Sequence, residues 1–94
     1  SDVVALIVNQ TPSDLWLTGI TAERGKSVLI RGTATRSDAI ATFLDRLAKT
    51  GRLREVRLVF SNNANIDQAP VVQFSISAFP VGNLPLNEKG SKRG

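Results

Sequence analysis

Leu15-Trp16-Leu17-Thr18-Gly19-Ile20 and Ser27-Val28-Leu29-Ile30-Arg31-Gly32 are two apolar-rich runs either side of Glu23-Arg24-Gly25-Lys26. Alternation at period two marks a strand with one face buried. Gly25 can take positive φ and reverse the chain. The two runs therefore read as a hairpin, with strands over residues 15–23 and 26–34. In the second strand Val28, Ile30, Gly32 and Ala34 share one side, and Ser27, Leu29, Arg31 and Thr33 the other. The narrowing from Ile30 to Gly32 to Ala34 predicts that something packs close at that end of the sheet. In the first strand, strict alternation sends either Trp16, Thr18 and Ile20 or Leu15 and Leu17 to the core, but not both sets. Apolar residues on both of its faces point to cover on its second face as well, such as a partner chain.

Outward from the hairpin, the pattern changes period. Ser37-Asp38-Ala39-Ile40 opens a helix, with Ser37 expected as the N-cap and Asp38 complementing the dipole. Ile40, Phe43, Leu44 and Leu47 fall at i, i+3, i+4 and i+7, one apolar stripe, while Asp45, Arg46 and Lys49 fall off it. Gly51 ends the helix. A third strand follows over residues 53–60, with Val56, Leu58 and Phe60 on one face and Arg57 and Val59 on the other. Asn62-Asn63-Ala64-Asn65 reads as the start of a longer loop running through Asp67 to Pro70. The fourth strand, residues 71–79, alternates cleanly: Val72, Phe74, Ile76 and Ala78 against Gln73, Ser75 and Ser77. Before all of these, Val3-Val4-Ala5-Leu6-Ile7-Val8 is β-branched, yet Val3, Leu6, Ile7 and Gln10 can share a helical face. It is read as the end of a helix that must dock on something, being too short to persist alone.

The expected order is α-β-β-α-β-β. It predicts an α+β two-layer sandwich with one four-stranded antiparallel sheet and both helices on one face, a circularly shifted ferredoxin-like arrangement. One domain is expected over residues 1–82, of which 1–11 end a connecting helix. Residues 83–94 are expected to be a flexible basic tail: segment 87–94 holds Lys89, Lys92 and Arg93 against Glu88, in a chain of net charge +4.

Composition narrows the chemistry. The 94 residues include no His, Cys, Tyr or Met, which removes most nucleophile–base pairs and the usual transition-metal ligands. The carboxylates Asp14, Glu23, Asp38, Asp45, Glu55 and Asp67 form no acid–base motif. Lys26 and Ser27 are adjacent on a strand and point to opposite faces. The glycines are scattered, with no phosphate-binding loop. An RNA-recognition sheet would need aromatic residues on its open face, but Phe60 and Phe74 are assigned to the core, leaving Arg52, Arg54 and Arg57 as a basic edge. Nucleic acid is thus disfavoured. No enzyme activity, cofactor, metal or small-molecule substrate is expected. No apolar stretch approaches the roughly 20 residues of a membrane span, and no signal peptide is visible. The chain begins at Ser1 and reads as a processed or excised fragment.

The pattern Pro12-x-x-Leu15-Trp16-Leu17-Thr18-x-Ile20, Gly25-x-x-Val28-x-Ile30-x-Gly32, Ser37, Ile40-x-x-Phe43-Leu44-x-x-Leu47 and Val56-x-Leu58 resembles the PilN-type fimbrial assembly family of type IV pilus and related secretion systems. The likeness covers about residues 3–79 and lies in apolar and turn positions. It implies the periplasmic, ferredoxin-like domain of a single-pass bacterial inner-membrane protein that works by assembly. It further implies dimers with itself or with a PilO-like protein. A PilM-like partner would be held through a cytoplasmic segment not present here. A GspL-like domain of type II secretion, a nucleic-acid-binding ferredoxin-like module, and a ligand-sensing ACT-type module are the alternatives. The sheet edges and the two-sided first strand point to an interface at Leu15, Trp16 and Leu17, joined by the helix flank at Arg46 and Lys49.

Overall fold

A computed structural model describes residues 3–82, so the expected tail lies outside the described residues. The elements are α1 (Val3–Val8), β1 (Leu15–Thr21), β2 (Val28–Ala34), α2 (Ser37–Lys49), β3 (Leu53–Ile66) and β4 (Ala69–Pro80). The strands form one antiparallel sheet in the order β1-β2-β4-β3. Strand β4 enters between β2 and β3, and α2 carries the chain over it. This is the α+β architecture expected, and the strand order is compatible with a shifted ferredoxin-like arrangement.

One face of the sheet carries the core. Val28, Ile30 and Ala34 of β2 and Phe74, Ile76 and Ala78 of β4 are buried there beneath Ala39, Ile40, Phe43 and Leu47 of α2. Leu44 is half-buried at the margin, and Asp45, Arg46 and Lys49 are exposed. Val3 and Ile7 of α1 sit one turn apart and are fully buried. Docking, rather than propensity, holds a helix of six residues.

Phe74 is the tightest point. Its ring meets the Phe43 ring edge-on, centroids 6.2 Å apart at 69°. The opposite residue on β2 is Gly32, and a Cβ there would sit 2.5 Å from Phe74 Cζ and 2.5 Å from the Trp16 carbonyl oxygen. The close approach read from the narrowing sequence is the Phe74 ring lying across a bare backbone.

Helix α2 begins differently from expectation. Ser37 is already its first helical residue; Arg36 occupies the cap position with extended backbone and gives no side-chain cap bond. The entry is held instead from outside. Thr35 N–H donates to the Asp14 carbonyl at 3.0 Å, and Arg36 reaches both Asp14 and Asp38 at 3.7 and 3.6 Å. At the other end Gly51 has φ +72, and the Thr50 hydroxyl donates to the Leu47 carbonyl at 2.8 Å.

Three register shifts overturn strict alternation. In β1 the slip falls between Leu17 and Gly19, leaving Thr18 as the extra residue of a bulge. Leu15, Leu17 and Ile20 therefore all pair with core-facing positions of β2, namely Ala34, Gly32 and Ile30. The either-or of the sequence reading disappears, and Trp16 turns to the other face. In β3 a slip between Leu58 and Phe60 makes Val59 the extra residue. Leu58 stays opposite Ile76, but Phe60 moves opposite Ser75, onto the open face. Assignment of Phe60 to the core was wrong for this reason. A further slip between Arg54 and Arg57 includes Glu55 at φ +53.

The loop expected after Phe60 is strand. Asn62 to Ile66 continue β3, paired residue by residue with Gln73 to Ala69, and the turn is only Asp67-Gln68. Both turn residues have positive φ, +50 and +69, the geometry of a primed two-residue hairpin turn. The asparagines are polar because nothing covers that stretch, not because the chain bends there. The Asn62 amide donates to Gln73 Oε1 across the strands at 3.4 Å.

Two outcomes test this fold. Gly32→Val should lower stability by about 2 kcal/mol or more, since the new side chain meets a ring and a backbone carbonyl; a shifted urea midpoint at unchanged slope is the readout. Gln68→Gly should raise stability by about 0.5–1 kcal/mol by removing a left-handed non-glycine residue. Thermal melting would show that as a gain of a few degrees.

Candidate interaction surfaces

The face of the sheet away from the helices is set by the pairing register. Three cross-strand rows can be read along it. Trp16, Thr33, Gln73 and Asn62 form the first; Gly19, Arg31, Ser75 and Phe60 the second; Thr21, Leu29, Ser77 and Arg57 the third. Beyond them Phe79 pairs with Arg54, whose guanidinium lies 4.8 Å from the ring centroid and also contacts Glu55.

Large side chains stand up at the edges of this face. Trp16 on β1 is 44% exposed and Phe60 on β3 is 51% exposed. Between them Thr33 and Ser75 are short and almost buried. Beside Phe60 lies a shallow concavity of about 370 Å³ lined by Thr18, Arg31, Thr33, Phe60, Asn62 and Gln73. Its walls hold one guanidinium, hydroxyl and amide groups, and a ring. No carboxylate lies there to act as an acid or base.

The carboxylates are dispersed and charge-paired. Glu23 meets Lys26 at 3.0 Å and Asp45 meets Lys49 at 3.1 Å, with Asp14 and Asp38 both on Arg36. All are solvent-exposed pairs worth little individually. Among the described residues no group of three His, Cys, Asp or Glu gathers as a metal site. No helix among them is long and apolar enough to cross a membrane.

The five residues singled out from sequence do not share one surface. Leu15 is buried in the core and Leu17 packs half-buried against it, both on the helix side of β1. Trp16 lies between them in sequence and on the opposite face. Arg46 and Lys49 are exposed on α2, which lies over β3 and β2 rather than over β1. Sequence reading missed Phe60, because bulge positions leave no mark in the period, and placed Leu29 and Arg31 on the open side of β2 without bringing them to a site. The one signal present was the run Leu58-Val59-Phe60, three apolar residues that a strict period cannot bury together.

The edges of the sheet are β1 and β3. Bulges interrupt β1 and the first half of β3, which blunts continuous strand addition there.

No curated protein and no solved structure gives a significant match to the chain. A family model, that of the fimbrial assembly protein (PilN), matches residues 2–79. With most of its length covered by that match, the chain belongs to the PilN family of fimbrial assembly proteins.

Proposed function

We propose that this chain is a non-enzymatic component of the inner-membrane platform of a type IV pilus. Its fold is the periplasmic domain of that component, and it dimerises with itself or with a PilO-like protein. Membership of the PilN family supports the assembly role. The observation that carries the mode of action is Trp16: a large ring, 44% exposed, held on a rigid strand whose neighbours Leu15 and Leu17 are anchored in the core. Exposed Trp on a rigid element is the usual composition of an interface anchor. Arg46 and Lys49 lie on the helical layer, so in this reading they serve a separate contact. A PilM-like partner would be engaged from a cytoplasmic segment outside this sequence.

A nucleic-acid module is less well supported by the same geometry. Trp16 and Phe60 sit on opposite edge strands and two residues apart along them, a diagonal of about 16 Å. Successive stacked bases need aromatic platforms much closer together.

Trp16→Ser tests the reading. The indole faces away from the core, so circular dichroism and the melting cooperativity should stay those of the wild type. Association, by analytical ultracentrifugation alone and with a co-expressed PilO-like periplasmic domain, should weaken about tenfold or more, as expected for loss of a hot-spot ring. Unchanged association in a folded variant would remove Trp16 from the interface.

A further inference from the structure

The middle of the open face is a checkerboard. Arg31 and Phe60 flank Ser75 in one row, and Leu29 and Arg57 flank Ser77 in the next. Guanidinium groups thus occupy one diagonal and apolar groups the other, with two short serines between them. All four flanking side chains are exposed. Arg31 reaches toward β1, its guanidinium filling the space a side chain at Gly19 would take, 2.7 Å from an ideal Cβ. Neither Arg31 nor Arg57 has an ion pair among the described residues. None of the three rows contains a carboxylate.

Two unpaired cations among apolar groups define what covers them. A second copy of the same face would bring two more guanidiniums and no carboxylate, leaving all four without a counter-charge. Segment 87–94 is itself net positive in sequence and does not complement the patch. The complement is anionic. The backbones of Arg31 and Arg57 are two strands apart and two residues apart along the strands, a diagonal of about 12 Å, and the turn of the Arg31 head toward β1 widens the spacing of the guanidiniums to on the order of 15 Å, which two glutamate side chains can reach. Carboxylates four residues apart in an extended segment are about 13 Å apart. Each guanidinium can take one carboxylate in a forked pair.

We propose that this checkerboard binds an acidic, extended segment of a partner protein. Its carboxylates seat on Arg31 and Arg57, and an apolar side chain between them lies over Leu29 and Phe60. The inference rests on the assembly reading only in taking the occupant to be protein.

The test uses three fluorescent probes in anisotropy titrations: a synthetic peptide repeating Glu-Thr-Leu-Thr, its twin with Lys for Glu, and oligodeoxythymidylate. The Glu peptide should bind saturably and more weakly as salt rises. The double variant Arg31→Glu/Arg57→Glu should lose about tenfold or more for the Glu peptide and gain the Lys peptide. Phe60→Ser should weaken the Glu peptide without reversing the charge preference. Absence of saturable binding at about 1 mM peptide, equal binding of both peptides, or indifference to the double variant would overturn the proposal. Stronger, Arg31-dependent binding of the oligonucleotide would replace it with a nucleic-acid site. Association with the PilO-like domain is measured separately, so loss of peptide binding with association intact sinks this inference alone.

Discussion

The Phe74 ring resting on Gly32 is the contact around which this domain is arranged. It lets β4 enter between β2 and β3 while a full aromatic ring occupies the space beneath α2. Phe43 then meets that ring edge-on and sets the seat of the helix. Any Cβ at Gly32 would force either the ring or the β1 carbonyl aside, and interiors packed at crystal density have no slack to take up such a shift. Val28, Ile30 and Ile76 continue the same layer on one side of this contact, and α1 closes it through Val3 and Ile7.

The second organising feature is the set of bulges. A regular strand divides its residues by parity, and a bulge exchanges the parity of everything beyond it. The bulge at Thr18 lets β1 bury Leu15, Leu17 and Ile20 while still displaying Trp16. The bulge at Val59 lets β3 keep Leu58 on the helix side and yet display Phe60 three residues after Arg57, on the same open face. Interrupted ladders at the sheet edges limit unplanned strand pairing, and the same interruptions aim apolar and cationic side chains outward. Protection of the edges and exposure of these side chains have one cause.

What this domain presents to its surroundings is the set of groups that stand up from the sheet. The carboxylates are scattered, and Asp14, Glu23, Asp38, Asp45 and Glu55 each lie beside a lysine or arginine. The open face differs: Arg31 and Arg57, without an ion pair among the described residues, are interleaved with rings and aliphatic groups over a floor of threonine and serine. A sheet braced by two helices is a stiff mount for the groups that stand on it.

Much of this was legible in the residues themselves. The 3.6-period stripe of Ile40, Phe43 and Leu47, the hairpin around Gly25, and the alternation of Val72 to Ala78 each report a local preference reinforced by burial, so they survive folding unchanged. The tight spot at Gly32 was also visible, because only a missing side chain explains the taper from Ile30 to Ala34. What the residues did not reveal was the registers. Asn62 to Asn65 look like a loop by composition and are strand because β4 offers them a complete ladder; Ser37 looks like a cap, but Asp14 and Arg36 organise that turn from a distance. Phe60 was placed on the wrong face and Trp16 left undecided for the same physical reason: a bulge is a property of two strands paired together, and one strand's sequence carries no record of the residue its partner will leave unmatched.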